Sequence, residues 1–322
     1  MVGKIALLQA RPTVGDIEGN IKLLQELVQT ADNAGASLAV STELMVSGYP
    51  PRDLLLQADF ISVCESTALN FEAKIPVLIG TPLSANSDRH RPGNGVVRAG
   101  DNSREVVRKQ LLPTYDVFDE ARYFDADERP GIARTIGGLD LGVTICEDAW
   151  QHCGATPNDY DTDPIAQLVE WCRQGVNLDA TVNLSASPYH GEKISVRLDV
   201  ARSAASSLGH PFLLANQVGG NDDLLFDGRS IIAWPDGQVV MGPGWQEGVL
   251  VADLSTPEKC QWFGDGELTI LQPGEDLQLG FDDLLDAVIT GLSDYCSKSG
   301  IGKIVLGISG GIDSALAACI AA

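Results

Sequence analysis

Apolar and polar positions follow two periodicities along the first 255 residues. Short apolar runs predict strands at 5–9, 37–42, 76–80, 105–109, 139–145, 180–184 and 212–215. Between them, apolar residues recur at helical spacing over 21–31, with Gly35 as a stop signal, and over 165–172, where Asp163 and Pro164 mark a helix start. The runs 231–234 and 238–241 flank Pro235-Asp236-Gly237 and predict a hairpin. Such alternation predicts an α/β fold whose sheet has antiparallel hairpins at its edge.

The pattern changes after residue 255. Thr, Pro, Gly and acidic residues over 256–276 predict a linker. Apolar residues over 281–295 then form one face of a helix that ends at Gly300, residues 303–308 predict a strand, and an Ala-rich helix follows from Ile312. Because a strand and one or two helices cannot cover both faces of a sheet, we expect residues 277–322 to begin a domain whose remainder is absent from this chain.

Charge and hydropathy exclude two classes of partner. The 322 residues carry a formal net charge of −22, whereas a protein that binds nucleic acid needs clustered Lys and Arg. The longest apolar stretches, such as 315–322, are far shorter than the ~20 residues that span a bilayer. We therefore expect neither nucleic acid nor a membrane as a partner.

Cysteine and histidine usage indicates the compartment. The seven cysteines are an odd number without a C-x-x-C pair, a pattern typical of reduced thiols in the cytoplasm. The four histidines lack the H-x-x-x-H spacing of a zinc site.

Three reactive side chains fall at the ends of predicted strands, namely Glu43, Lys109 and Cys146. Ligands bind at the carboxyl ends of strands in α/β sheets. A thiol must lose its proton before it attacks, so a base such as Glu43 has to be in reach. The carboxylates of Glu147 and Asp148 would raise the thiol pKa, and the Lys109 ammonium would offset them and could hold an oxyanion. Each residue alone also fits a bland interpretation as a packing or surface residue.

A glycine-rich turn, Gly307 to Ser314, lies between a predicted strand and a predicted helix. Its backbone N–H groups and the helix N-terminus would form a phosphate cradle. The same residues match G-x-S-x-G, but a serine hydrolase needs a later histidine, and none follows His210. A purely structural glycine turn remains the alternative.

The runs that these residues open resemble a known family. ELMVSGYPPRDLL begins at Glu43, KQLLPTYDVFDEARYF at Lys109 and CEDAW at Cys146. Over about residues 3–255 the sequence is similar to the carbon–nitrogen hydrolase (nitrilase) superfamily with its Glu–Lys–Cys triad. NLSASPYH and NQVGGNDDLLFDG further resemble the glutaminase domains of the glutamine-dependent NAD synthetase family, and SGGIDS (309–314) resembles the ATP loop of their synthetase domain.

This resemblance implies a fold and a division of labour. The fold would be a four-layer αββα sandwich over 1–255, followed by the linker and the first elements of a parallel-sheet nucleotide-binding domain. Cys146 would attack the glutamine amide, Glu43 would be the general base, and Lys109 with the Glu147 N–H would stabilise the oxyanion, with no metal. Candidates for holding glutamine are Tyr115, Glu147, Ser187 and Lys193. Ser309, Gly310, Gly311, Asp313 and Ser314 would bind ATP with Mg²⁺, and ammonia would convert deamido-NAD to NAD.

Two other hypotheses remain open at this point. A stand-alone nitrilase-type amidase would act on other small amides, with SGGIDS only a turn. A nitrilase-like scaffold that merely binds partners is disfavoured by the intact set of Glu43, Lys109 and Cys146. The family also implies pairing with another subunit, so we expect a homo-oligomer.

Overall fold

The fold is taken from a computed structural model that describes residues 3–85, 90–100, 104–129, 131–157 and 159–322. The helices are α1 (Ile17–Asn33), α2 (Ala58–Leu69), α3 (Glu120–Tyr123), α4 (Pro164–Arg173), α5 (Lys193–Leu208), α6 (Phe281–Lys298) and α7 (Ile312–Ala321). The strands are β1 (Lys4–Gln9), β2 (Leu38–Val40), β3 (Val77–Leu83), β4 (Gly93–Ala99), β5 (Arg104–Arg108), β6 (Gly131–Ile136), β7 (Leu139–Ile145), β8 (Ala180–Ser185), β9 (Phe212–Asn216), β10 (Val218–Asn221), β11 (Leu224–Asp227), β12 (Ile231–Ala233), β13 (Val239–Met241), β14 (Gly248–Asp253), β15 (Gln261–Gly264) and β16 (Thr269–Leu271).

The strands of the described residues form two seven-stranded mixed sheets and a separate β10–β11 hairpin. The first sheet has the order β15-β14-β1-β2-β3-β4-β5, and the second has the order β16-β13-β12-β9-β8-β7-β6. β1, β2 and β3 run parallel in the first sheet, as β7, β8 and β9 do in the second. Each sheet therefore presents the carboxyl ends of neighbouring parallel strands at one edge, where loops can build a site.

The sheets stack face to face, and helices cover their outer faces. Side chains from both sheets, such as Leu7, Leu78, Val143 and Val182, share one buried cluster. α1 and α2 pack on the outer face of the first sheet, and α4 and α5 pack on that of the second. The four-layer αββα sandwich is confirmed.

The ends of α1 and α4 follow their sequence signals. Asp16 accepts a hydrogen bond from the Gly19 N–H at 3.0 Å, and Gly35 takes φ +76° just after the helix, where a left-handed conformation favours glycine. Asp163 accepts from the Ala166 N–H at 2.9 Å, directly before Pro164 in the first turn. The start of both helices and the end of α1 therefore lie where the capping residues predict.

Two predictions for the second part of the chain are wrong at the level of secondary structure. The segment 256–276, predicted as a linker, contains β15 and β16, and each extends one of the two sheets. The strand predicted over 303–308 is absent: residues 301–309 have no regular structure, and Val305 is 96% exposed. A strand is held by hydrogen bonds to a neighbour, and among the described residues this segment joins neither sheet.

Helix α6 forms as predicted but turns its charged side toward the core. Its buried residues include Asp283, Ala287, Thr290 and Asp294. The predicted apolar face is exposed instead, with Phe281 at 90%.

No helix in the described ranges is long and apolar enough to cross a bilayer.

Candidate active site

Glu43 and Lys109 meet at one edge of the first sheet. β5 runs in the same direction as β2, because β2 is parallel to β3 and two antiparallel steps follow. The Lys109 Nζ donates to Glu43 Oε1 at 2.8 Å, and both side chains are fully buried. Asn94 Nδ2, from β4, donates to the same oxygen at 2.7 Å. The carboxylate is therefore fixed by two donors from neighbouring strands.

Gly80 lets the Glu43 loop lie against β3. A Cβ at this position would come within 2.3 Å of the Thr42 carbonyl oxygen and 2.7 Å of the Leu44 nitrogen. Replacing Gly80 by Ala should push the loop away, lower the rate of thiol-dependent turnover by at least about tenfold and destabilise the fold by roughly 1–3 kcal/mol. Urea unfolding and turnover test this, with Gly302→Ala as the control, because that site has open space. Unchanged turnover in Gly80→Ala would contradict the inference that close packing of this loop on β3 positions Glu43.

Cys146 lies at a sharp bend directly after β7. Its φ is +42°, an uncommon conformation for a residue with a side chain. Asp148 stabilises the bend, because its carboxylate accepts from the N–H groups of Ile145 at 3.0 Å, Gln110 at 3.0 Å and Leu111 at 2.9 Å. These bonds join the cysteine bend to the segment that carries Lys109. From the sequence alone, Asp148 is only a charge near Cys146, and its role at the bend depends on these long-range hydrogen bonds.

The end of β8 ties the two sheets together at the same place. The Ala186 N–H donates to Glu43 Oε2 at 3.0 Å, and Asn183 Nδ2 donates to the carbonyl oxygen of Cys146 at 3.2 Å. Glu43, Lys109 and Cys146, which are far apart in sequence, are thus gathered around the carboxyl ends of β2, β5, β7 and β8.

The surroundings of Cys146 disfavour ionisation of its thiol. Burial raises its pKa well above the ordinary value, and the charge of Glu43 raises it further. Lys109 acts in the opposite direction, while Glu147 and Glu120 add to the increase. Because the raised pKa disfavours the thiolate, attack is helped by a base within the cluster, a role that the buried Glu43 carboxylate can fill.

Glu120, from α3, is a member of the cluster that sequence reasoning missed. Both of its carboxylate oxygens accept from Lys109 Nζ at 2.8 Å, and Tyr49 Oη donates to Oε1 at 2.9 Å. Burial raises the pKa of Glu120 to about 7, although Lys109 opposes the shift. Burial would lower the pKa of Lys109, but Glu120 and Glu43 raise it well above its ordinary value. The ammonium is therefore charged between two carboxyl groups.

A cavity of about 490 Å³ contains two of the four predicted glutamine-binding residues. Tyr115 and Lys193 line it together with Phe118, Trp150, Tyr189 and His190. The Lys193 Nζ lies 3.9 Å from the centre of the Trp150 ring, and burial lowers the Lys193 pKa while Cys146 opposes that shift. The cavity is thus within electrostatic reach of the thiol.

The other two candidates lie behind this lining. Glu147 is buried, and its Oε1 accepts from Tyr115 Oη at 2.7 Å and from Tyr160 Oη at 3.3 Å. Ser187 is 2% exposed, and its hydroxyl has no hydrogen-bond partner within the described chain. Tyr160 was not predicted, because nothing in its sequence context marks it.

The glycine-rich turn lies at the start of α7, as predicted, although the strand before it is missing. Gly310 has φ +85°. Ser314 Oγ accepts from the Ser309 N–H at 3.2 Å and donates to the Gly311 carbonyl at 3.0 Å. Asp313 follows in the first turn of the helix. Gly310 is exposed to solvent, and no atom lies within 4 Å of a Cβ placed on it.

Among the described residues, no group of three or more His, Cys, Asp or Glu side chains is placed to hold a metal ion.

Two family models match this chain. The carbon-nitrogen hydrolase model covers residues 4–262, and the NAD synthase model covers 284–322. The chain is 37% identical to a glutamine-dependent NAD(+) synthetase from Synechocystis over 98% of its own length and 56% of the relative. It is 34% identical to one from Thermotoga maritima, over 99% of its length and 58% of the relative. The chain therefore spans a little more than half the length of these relatives.

Solved structures agree with the sequence comparison. A glutamine-dependent NAD+ synthetase from Acinetobacter baumannii, in complex with adenosine diphosphate, matches with a TM-score of 0.80 and 28% identity, over 99% of this chain and 56% of that one. An amidase from Nesterenkonia sp. shares the fold, with a TM-score of 0.62 and 21% identity over 78% of this chain and 90% of its own. With a family model matched over residues 4–262, the chain belongs to the carbon–nitrogen hydrolase family.

Proposed function

We propose that the sandwich, residues 1–255 together with the sheet strands β15 and β16, is the glutaminase part of a glutamine-dependent NAD synthetase, and that Cys146 is its nucleophile. The observation that carries this proposal is the buried Lys109 ammonium, held at 2.8 Å by Glu43 and by Glu120 in a cluster whose charges act on the Cys146 thiol. A protonated thiol, a fixed carboxylate and a fixed cation are the groups that amide hydrolysis through a thioester requires.

The first half-reaction releases ammonia. Glu43 removes the thiol proton as Cys146 Sγ attacks the side-chain amide carbon of glutamine. The oxyanion that forms is stabilised by Lys109 and by the backbone N–H of Glu147, which is the second residue of the short 3₁₀ helix Cys146–Ala149 and so has no acceptor within it. When the C–N bond breaks, the proton on Glu43 passes to the leaving nitrogen, and a γ-glutamyl thioester remains.

The second half-reaction restores the thiol. Glu43 removes a proton from a water molecule, and the resulting hydroxide attacks the thioester carbon. The C–S bond then breaks, the sulfur regains a proton, and glutamate leaves. Glu120 does not need to touch the substrate in this scheme: it keeps the Lys109 ammonium in place while Glu43 gains and loses its proton.

Substrate binding is assigned to the 490 Å³ cavity. Lys193 provides a cation for the α-carboxylate of glutamine, and Tyr115 and Glu147 form a hydrogen-bonded pair that offers polar atoms to the amino acid. The unpartnered hydroxyl of the buried Ser187 supports a fourth contact, because a buried hydroxyl is stable only with a partner.

Residues 277–322 are proposed to be the first elements of the synthetase domain. The NAD synthase match over 284–322 supports this division, as do the exposed apolar faces of α6 and of 304–308. Ser309, Gly310, Gly311, Asp313 and Ser314 would hold the ATP phosphates with Mg²⁺, and the open turn at Gly310 fits a phosphate. In the whole enzyme, the carboxylate of deamido-NAD would attack the α-phosphate of ATP and release pyrophosphate, and ammonia would then displace AMP from the adenylate to give NAD.

Location and assembly belong to the same proposal. All seven cysteines are free, which supports the cytoplasm as the compartment. The homo-oligomer implied by the family stays a prediction, to be measured by light scattering of the purified chain.

A glutamine analogue with a reactive diazoketone tests the proposed function. It should label one residue, Cys146, and free glutamine should protect that residue, because labelling requires both the reactive thiol and the glutamine cavity. Peptide mapping of the labelled chain reads out all seven cysteines at once. Labelling that glutamine does not slow, but that small aliphatic amides do slow, would favour the stand-alone amidase.

A further inference from the structure

Helix α6 reaches the catalytic sandwich through a buried aspartate. Asp283 is 8% exposed, although it lies in the first turn of a helix whose neighbouring residues Phe281 and Leu284 are open to solvent. A carboxylate in such a place is stable only when its oxygens are paired. The partners of Asp283 therefore show what the helix is attached to.

The two oxygens of Asp283 bind three side chains of the sandwich. Oδ2 accepts from Tyr189 Oη at 2.8 Å. Oδ1 accepts from Trp245 Nε1 at 2.8 Å and from the Arg229 guanidinium. The rings of Tyr189 and Trp245 meet edge to face, with centroids 4.8 Å apart. Asp283 thus holds an aromatic side chain that lines the 490 Å³ cavity.

A second route leads from Asp283 to the same cavity wall through alternating charges. Arg229 donates to Asp227 Oδ2 at 3.0 Å, and Arg197 donates to Asp227 Oδ1 at 2.9 Å. Arg197, which is fully buried, also donates to the carbonyl oxygen of Ser187 at 3.5 Å. Burial would raise the pKa of Asp227, but the two arginines outweigh it and hold that pKa below the ordinary range.

Both routes end on the short segment 185–190. Tyr189 and Pro188 line the cavity, and Ser187 is one of the proposed glutamine contacts. At its other end the segment donates the Ala186 N–H to Glu43 Oε2 at 3.0 Å. The segment therefore joins the general base, the cavity wall and the Asp283 network.

We propose that Asp283 is a positioning residue for the glutamine cavity: it fixes the segment 185–190 through Tyr189 and through the Arg229–Asp227–Arg197 chain. The identity of the substrate in this statement rests on the proposed function. The attachment of the cavity wall to α6 does not. A helix that follows the sandwich in sequence is, on this account, part of the glutaminase site.

The test compares Asp283→Asn with Asp282→Asn in the full chain. Asp282 is the adjacent exposed residue of the same helix, so the control removes the same charge from the surface. Hydrogen exchange of peptides covering 185–190 should become at least about tenfold faster in Asp283→Asn and should stay at the wild-type rate in the control, because only the former loosens the segment. Exchange in β1 should not change in either variant.

The steady-state constants KM and kcat distinguish a positioning role of Asp283 from a general loss of structure. In Asp283→Asn the KM for glutamine should rise at least about fivefold while kcat stays within about twofold, because the lost contacts hold the cavity wall, whereas Glu43 keeps its bonds to Lys109 and Asn94. Alkylation of Cys146 by iodoacetamide, which does not need the cavity wall, should keep its rate. An equal loss of alkylation and turnover would place the damage in the catalytic cluster and overturn the proposal.

Tyr189→Phe keeps the ring and removes only the hydroxyl that binds Asp283, so it serves if Asp283→Asn does not fold. It should move exchange of 185–190 and KM in the same direction by a smaller amount. Exchange or KM equal to that of the control in both variants would overturn the proposal. If the wild-type chain neither hydrolyses glutamine nor reacts with the diazoketone analogue at Cys146, the proposed function is wrong, whereas exchange of 185–190 still decides whether Asp283 positions the wall.

Discussion

Replacing Cys146 by Ser should lower glutamine hydrolysis by more than about a thousandfold, the scale of losing the nucleophile of a catalytic group that acts as a unit. The two side chains are nearly equal in size, but a hydroxyl is far less acidic than a thiol, so Glu43 cannot activate it. Glutamate release by the purified variant measures the effect, and circular dichroism shows that the fold is kept.

Cys153→Ser is the matched control for this substitution. Cys153 is exposed and lies in the same stretch of chain after β7, so its loss should leave turnover near the wild-type value. Substantial glutaminase turnover in Cys146→Ser, or a comparable loss in Cys153→Ser, would remove Cys146 from its assigned role.

Replacing Lys109 by Ala should lower turnover by at least about a hundredfold, as expected when one oxyanion stabiliser is lost. The variant also leaves Glu43 and Glu120 facing each other without the ammonium that now binds both at 2.8 Å. Two carboxylates at one site cannot both stay ionised, and Glu120 takes up the proton, because burial already raises its pKa to about 7 and Lys109 no longer opposes that rise.

The same substitution should change the pH dependence of the thiol. Lys109 lowers the pKa of Cys146, while burial and Glu43 raise it. Without the lysine the pKa of the Cys146 thiol rises, so less thiolate is present at any pH below that pKa. The pH at which alkylation by iodoacetamide becomes fast therefore shifts upward. Alkylation measured from neutral to alkaline pH gives the profile directly.

Lys298→Ala controls for the loss of a buried ammonium. Lys298 is a partly buried lysine of α6 that donates to the carbonyl oxygens of Pro12 and Gly220 and to Asn221. Removing the Lys298 ammonium should disturb the fold locally and leave the pH dependence of Cys146 alkylation unchanged. A Lys109→Ala profile identical in shape and height to the wild-type profile would contradict the assignment of Lys109.

Local sequence patterns predicted most of the sandwich. Apolar runs such as 139–145 coincide with strands because the strands of both sheets are buried on two faces and need no polar alternation. The three reactive residues were found because each follows such a run. Parallel strands then bring their carboxyl ends to one edge, which is a consequence of topology rather than of the individual residues.

Features that depend on distant partners could not be predicted in this way. Glu120 is surrounded by other charged residues in sequence, and only the fold shows that it is buried against Lys109. Strand β16 joins β13 as an edge strand although its local composition is that of a linker, because pairing to an existing sheet outweighs weak local propensity. Residues 303–308 differ in the opposite direction: they have a strong strand pattern, but no strand of the described part of the chain pairs with them.

The local sequence also does not predict which face of helix α6 packs against the sandwich. The spacing of its apolar residues predicts the helix, and the usual interpretation would turn that face toward the core. The structure buries Asp283 and Asp294 instead, because Arg229, Tyr189, Trp245 and Arg11 offer them partners. A helical pattern therefore predicts that an element exists, while long-range ion pairs decide which side of it meets the protein.

Glutamine cleavage should proceed through a thioester on Cys146. Rapid mixing of the chain with glutamine, acid quenching within the first turnover and intact-mass analysis should detect a species heavier by one γ-glutamyl group, with release of one equivalent of ammonia. Peptide mapping should place the group on Cys146, and it should be absent from Cys146→Ser. Ammonia release without any acyl-enzyme, or an acyl group on another residue, would contradict the account.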